Sequence, residues 1–299
     1  MKARVDCIVC MFRQALNTAR VVSDDPDIHL EILRRTAARV AHPDFNRTPA
    51  ALSQPVYEIV SEVTGVADPY GAHKRETNRI ALEHLPHVEA LVNAAPDPLD
   101  AALHAAAAGN VIDLGIGQAF DIDSDIERIM RQSLAINAVA AFRRELGPGR
   151  RILYLGDNAG EIVFDTLLVR RIAETGAEVT VSVKSGPIIN DATREDAAAC
   201  GMTELAAVIE TGAADIGVNW DRISPEFRDA VDRADAIVAK GHGNFETCND
   251  RPENFYFLLK AKCAMVANEL GVSLGDIVFK HSAGAGAQMT NRQHQESIP

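Results

Sequence analysis

The chain has 299 residues, 47% of them hydrophobic and 24% charged, and a formal net charge of −12. That is enough apolar material for one large core or two smaller ones, while so acidic a surface repels phosphate backbones and anionic lipid and argues against nucleic acid or a membrane as partner. No run approaches the roughly 20 apolar residues of a membrane span.

The opening "MKARVDCIVCMFRQAL" has a charged start but no long apolar core and no small-residue cleavage site, so it does not read as an export signal. Five cysteines (Cys7, Cys10, Cys200, Cys248 and Cys263) are an odd number. They fit free thiols in a reducing cytosol better than a disulfide framework.

In chain order, "CIVCMFRQALNTARVV" and "DIHLEILRRTAARVAH" place apolar residues at helical spacing. "PAALSQPVYEIVSEVTG" stops at Gly65, a C-cap glycine. "YGAHKRETNRIALEHLPHVEALVNAA" and "DPLDAALHAAAAG" continue the helical pattern, and no strand has comparable support before residue 110. The period then changes. "RILYLG", "AEVTVSVKSG", "DAIVAKG" and "GDIVFK" read as strands. "EIVFDTLLVRRIAETG", "DATREDAAACG", "PEFRDAVDRA" and "NFYFLLKAKCAMVANELG" read as helices, and "ELAAVIETG" is ambiguous. Alternation of this kind predicts an α/β fold: a three-layer α/β/α core with a mainly parallel sheet, preceded by an all-helical N-terminal region. The expected boundaries are a helical cap at 1–148, the α/β core at 149–285 and a mobile, small-residue tail at 286–299.

Ligands of open parallel sheets bind beyond the carboxyl ends of the strands. There the polar residues gather: Asp157 and Asn158 after "ILYLG", Asn190 and Asp191 after "VTVSVKSG", and Lys240, Gly241, His242, Gly243 and Asn244 at the end of "DAIVAK". Asp157, Asn158 and Asp191 offer hard oxygen donors suited to Mg²⁺ or Mn²⁺. The turn Ala159-Gly160-Glu161 opens a helix whose free N–H groups favour a phosphate. Lys240 supplies positive charge, and the glycines let backbone N–H groups approach an anion. Together these imply phosphoryl transfer or hydrolysis. Each piece also has a plain reading: an Asp-Asn turn, a helix-capping Asp191, a solvated lysine, and Glu161 and Asp165 favouring the helix N-terminus by charge alone.

The segments "GDNAGEIVFD", "KSGPIINDAT", "AKGHGNFET" and "FLLKAKCAMVANELGV", with "DCIVCMFRQAL", "DPYGAHKRETN" and "AAAAGNVIDLG", resemble the motifs of the damage-control phosphatases, also catalogued as domain of unknown function 89. The likeness runs from about Cys7 to Lys280, and Cys7-x-x-Cys10 suggests the stand-alone prokaryotic-type branch. It implies a metal-dependent phosphatase with Asp157, Asn158 and Asp191 as metal ligands, and with Lys240 and the Gly241–Asn244 loop, Asn244 included, as phosphate contacts. It implies a divalent metal cofactor (Mn²⁺, Mg²⁺, Co²⁺ or Ni²⁺) and small phosphorylated metabolites as substrates, such as sugar phosphates and phosphopantetheine derivatives. Whether attack comes from water or from Asp157 is left open by the motif.

Two other readings compete. An S-adenosylmethionine-dependent methyltransferase would use the acid and glycine turn of "ILYLGDNAG" but gives Asp191 and Lys240 no work. A non-catalytic phosphometabolite-binding protein would keep the anion loop alone. Cys7 and Cys10, one turn apart on an apolar helix, read either as packing or as a metal or redox pair. Lys74 and Asn78 are helix neighbours at i, i+4, either lining a substrate entrance or making a surface or interdomain contact. "LGIGQAF" lacks the third glycine of a nucleotide fingerprint and reads as a loop.

Overall fold

The computed structural model describes residues 1–109 and 122–282; the "LGIGQAF" segment and the tail lie outside the described residues. The chain begins with helices α1 (Val5–Val22), α2 (Pro26–Val40) and α3 (Pro49–Thr64), which share a core of Met11, Ala15, Ile32, Val56 and Val60. Local chemistry sets their ends. Asp25 and Thr48 cap α2 and α3 through side-chain oxygens, each followed by proline at the first helical position. Gly65 ends α3 at φ 72°, a left-handed conformation that costs glycine nothing.

Helices α4 (Gly71–Ala94) and α5 (Pro98–Ala108) then lie against the sheet layer. α6 (Ile122–Met130), β1 (Ile136–Asn137) and α7 (Val139–Arg143) follow. The remaining elements are β2 (Arg151–Leu155), α8 (Glu161–Ala173), β3 (Glu178–Val183), α9 (Arg194–Ala199), α10 (Met202–Leu205), β4 (Ala207–Glu210), α11 (Pro225–Arg233), β5 (Ala236–Lys240), α12 (Gly241–Cys248), β6 (Phe255–Lys260), α13 (Ala264–Leu270) and β7 (Ile277–His281).

Seven strands form one sheet in the order β1-β7-β6-β5-β2-β3-β4, parallel throughout except for the β6/β7 pair. Its central strands are apolar at nearly every position because both faces are covered. Ile152 and Tyr154 of β2 face the layer of α4, α5 and α8, while Leu153 and Leu155 face the layer of α11, α12 and α13. The α/β/α core with its mainly parallel sheet and helical N-terminal region is therefore present. The chain runs β2, β3, β4 outward to one side and returns to place β5 on the other side of β2. The strand order thus reverses between β2 and β5, where an open sheet leaves a crevice at the carboxyl ends.

Two segments differ from their sequence reading. "FYFLLK" is strand β6, not the start of a helix: Phe255, Phe257 and Leu259 face one layer, Tyr256 and Leu258 the other. A continuous apolar run has no period that separates a doubly covered strand from a buried helix. "GHGNFETC" is helix α12, not a loop. Gly241 turns the chain at φ 77°, and Phe245 and Cys248 then pack the helix onto the sheet despite its two glycines. The ambiguous "ELAAVIETG" divides into the end of α10 and strand β4.

Candidate active site

Asp157 and Asn158 leave the end of β2 and Asp191 arrives from the loop after β3. The two segments are tied by backbone bonds on both sides: Ala159 N donates to Asn190 O and Ala192 N to Asp157 O, each at 2.8 Å, and Asn158 and Asp191 form a bridge. Gly241, just beyond β5, closes the other side. A Cβ there would overlap the Asp157 carboxylate, so only glycine lets β5 approach. Asp157, Asn158, Asp191, Gly241 and Gly243 line one cavity of about 640 Å³.

The orientation of Asn158 is decided by its neighbours. Its Nδ2 donates to Asp157 Oδ2 at 3.0 Å and to Glu161 Oε1 at 2.8 Å, which uses both N–H groups and leaves the carbonyl oxygen Oδ1 as the free end. The oxygens of Asp157, Asn158 and Asp191 are thus a hard donor set. Burial, then the charges of Glu161 and Asp191, push the Asp157 carboxyl well above the usual carboxylate range. Burial raises Asp191 to about 6, with the nearby Lys184 ammonium, 3.5 Å away, opposing the rise. Acids held together in this way are short of positive charge, and a divalent cation on these oxygens would relieve both.

The other expected site residues lie behind this cavity, not in it. Lys240 is 1% exposed, and its Nζ donates to Asp165 Oδ1 and Ala106 O, both at 2.8 Å, and to Glu161 Oε2 at 3.4 Å. All three of its N–H groups are committed, so this ammonium neutralises the acids of α8 and has no hydrogen left for a phosphate. Burial alone would lower its pKa, but Asp165 and Glu161 outweigh that and raise it. Glu161, 1% exposed, sits between Asn158 and Lys240. Asn244 donates to Gly156 O at 3.0 Å and Lys240 O at 2.8 Å, tying the end of β2 to that of β5. Gly160 N is taken by Asn78 Oδ1 at 2.7 Å, and Asn78 Nδ2 donates to Asp196 Oδ1 at 2.8 Å. Lys74 pairs with Asp196 and Asp68. Of the two readings for Lys74 and Asn78, the structure has the one in which α4 is fastened to the start of α8.

Sequence reasoning missed Lys262 and placed His242 at the strand end without giving it a role. Lys262, past the end of β6, is exposed into the cavity, and its charge acts on Asp157. His242 also lines the cavity, and burial, with the charge of Lys262 adding to it, lowers its pKa to about 4, so it is neutral near pH 7. The signal was present: reading "FYFLLK" as a strand puts Lys260 and Lys262 at a carboxyl end, where the same rule seeks ligands. The structure also brings Cys7 and Cys10, distant in sequence, onto the wall of this cavity.

Two outcomes follow from the buried charges. Lys240→Ala strands Glu161 and Asp165 without a counter-ion and should cost about 3–5 kcal/mol of stability, measured by urea unfolding; a loss below about 1 kcal/mol would show that the pair is not holding α8. The second outcome concerns pH. The raised Asp191 carboxyl means that the folded, metal-free chain holds more protons than the unfolded one between about pH 4 and pH 6, so this group's contribution to stability falls as pH rises through that window. In chelator, the melting temperature of Asp191→Asn should therefore decline less steeply over that range than that of the parent; parallel slopes would contradict the assignment.

Comparison with known proteins agrees over nearly the whole chain. Residues 3–278 match the family model of the damage-control phosphatase ARMT1-like domain. A damage-control phosphatase of Pyrococcus horikoshii is 34% identical over 283 residues, which cover 93% of this chain and 97% of that one. A damage-control phosphatase of Archaeoglobus fulgidus is 34% identical over 288 residues, covering 94% and 99%. The crystal structure of a DUF89 family protein from Pyrococcus horikoshii superimposes with a TM-score of 0.87 at 33% identity, over 94% of this chain and 99% of that one. By these matches the chain belongs to the damage-control phosphatase family with the ARMT1-like domain, and with it to the phosphatases.

Proposed function

We propose that the chain hydrolyses phosphomonoesters of small metabolites, sugar phosphates or phosphopantetheine derivatives among them, and that it needs a divalent cation to do so. The observation that carries this reading is that three hard oxygen donors at the β2/β5 crevice and a lysine, Lys262, line the same cavity. Asp157, Asn158 Oδ1 and Asp191 would hold the cation, Mn²⁺, Mg²⁺, Co²⁺ or Ni²⁺. When bound, it supplies Lewis-acid polarisation of the phosphoryl oxygens.

The remaining work falls to the chain. Lys262 offers the phosphate a charge that the acidic surface otherwise denies it. Gly241 and Gly243 bring the first turn of α12 to the cavity without a side chain in the way. Asp157 is the carboxylate placed to attack phosphorus or to orient the attacking water. Neutral His242 is in the form that can accept a proton without first losing one, its Nε2 being engaged with the backbone of Lys260 and Lys262. A methyltransferase leaves Asp191 and Lys262 unused. The Cys7-x-x-Cys10 pair supports the stand-alone prokaryotic-type branch, and the five unpaired cysteines fit a reducing cytoplasm.

Hydrolysis of a panel of phosphate esters should vanish on chelation and return with one of the four cations; full activity after exhaustive chelation would sink the reading. Asp157→Asn should abolish turnover while the melting temperature of the metal-free protein stays level or rises, because one of two mutually repelling acids is gone. Lys262→Ala should lower kcat/KM by about 10- to 100-fold with an unchanged melting temperature, a range suited to losing one charge-assisted phosphate contact. Wild-type kcat/KM in that variant would place the phosphate elsewhere.

A further inference from the structure

Two neutral polar groups of the N-terminal helices line the cavity that also holds Asp157, Asn158 and Asp191, and neither has a partner. Gln14 stands on the same face of α1 as Cys7 and Cys10, and Ser53 lies one turn beyond Ala50 on α3. The Gln14 Oε1 is buried and accepts no hydrogen bond among the described residues. Ser53 is 6% exposed, and its hydroxyl makes no hydrogen bond among the described residues either. Comparable groups of the same helical region do. Gln54, the next residue on α3, donates to Ala214 O and accepts from Ile216 N, each at 3.1 Å. Thr36 and Thr64 return their hydroxyls to the carbonyls four residues earlier, at 2.8 and 2.7 Å. Buried polar groups are as a rule paired, so two without partners on one cavity call for a partner from outside the chain.

We propose that Gln14 and Ser53 are specificity-determining residues that recognise the alcohol half of the phosphate ester, and that this half carries hydroxyls. The inference rests on the phosphatase reading above and adds to it the residues that select the substrate. The chemistry of the partner follows from theirs. A glutamine amide offers both an acceptor and donors, and a serine hydroxyl donates and accepts. A substrate hydroxyl can meet either group in both senses, whereas an ammonium only donates and an ether oxygen only accepts. Both groups are neutral, so neither supplies charge for an ionic headgroup. A cavity of about 640 Å³ has room for a chain of several carbons beyond the phosphate. With the phosphate at the carboxyl ends of β2 and β5, that chain extends toward α1 and α3. An ester without hydroxyls buries the same two groups and leaves them unpaired, which costs it affinity.

The test compares a hexitol phosphate with n-hexyl phosphate, which match in carbon number and differ only in their hydroxyls. With whichever of the four cations supports turnover, kcat/KM should be at least about 10-fold higher for the hexitol ester. Gln14→Met and Ser53→Ala should each shrink that preference by about 3- to 10-fold, through KM more than kcat, the scale of one neutral hydrogen bond. The melting temperature should stay level or rise in both variants, since each change removes a buried polar group that the chain itself leaves unpaired. A preference unchanged in the double variant would overturn the inference. So would a melting temperature lowered in both single variants, the sign of groups bonded within the fold, or 6-aminohexyl phosphate turned over as well as the hexitol ester. If neither ester is hydrolysed with any of the four cations, the phosphatase reading fails, and calorimetry decides this inference by itself. The hexitol phosphate should then still bind more tightly than n-hexyl phosphate, with the difference reduced in Gln14→Met; equal affinities in the parent chain would sink it.

Discussion

Four carboxylates, Asp157, Glu161, Asp165 and Asp191, converge at the carboxyl ends of β2 and β3, and the rest of the site is arranged around their repulsion. Two are neutralised from beneath. Lys240 takes Asp165 and Glu161 in a pocket where neither partner meets water. A third, Asp191, has Lys184 at 3.5 Å, whose ammonium also bonds the Gly217 carbonyl. Asp157 has no lysine in contact and feels Lys262 and Lys240 only at a distance. The compensation is therefore graded, complete at the bottom of α8 and incomplete at the cavity. Buried charge without a partner is costly, and the deficit is confined to the carboxylates that line the cavity.

This grading explains why the glycines and amides fall where they do. Gly241 is required because the Asp157 carboxylate occupies the space a Cβ would take. Asn158 is an amide because its N–H groups must separate Asp157 from Glu161 while its oxygen faces the cavity; an aspartate there would add a fifth repelling charge and could donate to neither neighbour. Asn244 and Asn78 lock the backbone on either side, one across β2 and β5, the other from α4 to the start of α8. The helical N-terminal region thus supplies a roof through α1 and α3 and a fastening through α4.

Much of this was legible in the sequence because its signals are local. Apolar strands ending in glycine and polar residues announced the sheet edge, and Asp157, Asn158, Asp191, Gly241 and Gly243 do meet at one cavity. The resemblance added the family, which the comparisons bear out. What was not legible depended on depth and on long-range contact. Lys240 is one residue from the crevice in sequence, but its long stem carries the ammonium down behind β2 to Asp165, 75 positions earlier. No spacing rule says which way such a stem points. Lys262 was hidden by reading β6 as helix, because a strand covered on both faces has no polar side to betray its period.

The loop that carries Asp191 also bears a cost. Ile189, two residues earlier, has φ 47°, a left-handed conformation that a β-branched side chain rarely adopts, and it is the only non-glycine residue with positive φ among those described. Such strain is worth about 1–3 kcal/mol and persists only where the surroundings over-determine the backbone. Here they do. The Asn190 carbonyl is held by Ala159 N, the Asp157 carbonyl by Ala192 N, and Asp191 N by the Ile188 carbonyl. The chain between β3 and α9 is thus pinned to the β2 turn through its backbone, independently of the side chains that would meet a metal. The oxygens of Asp157 and Asp191 are consequently set at a fixed separation before any cation arrives, against their own repulsion. Strain in the loop and charge excess at its end are both borne by the fold, so the two carboxylates proposed to hold a cation are placed by the backbone itself.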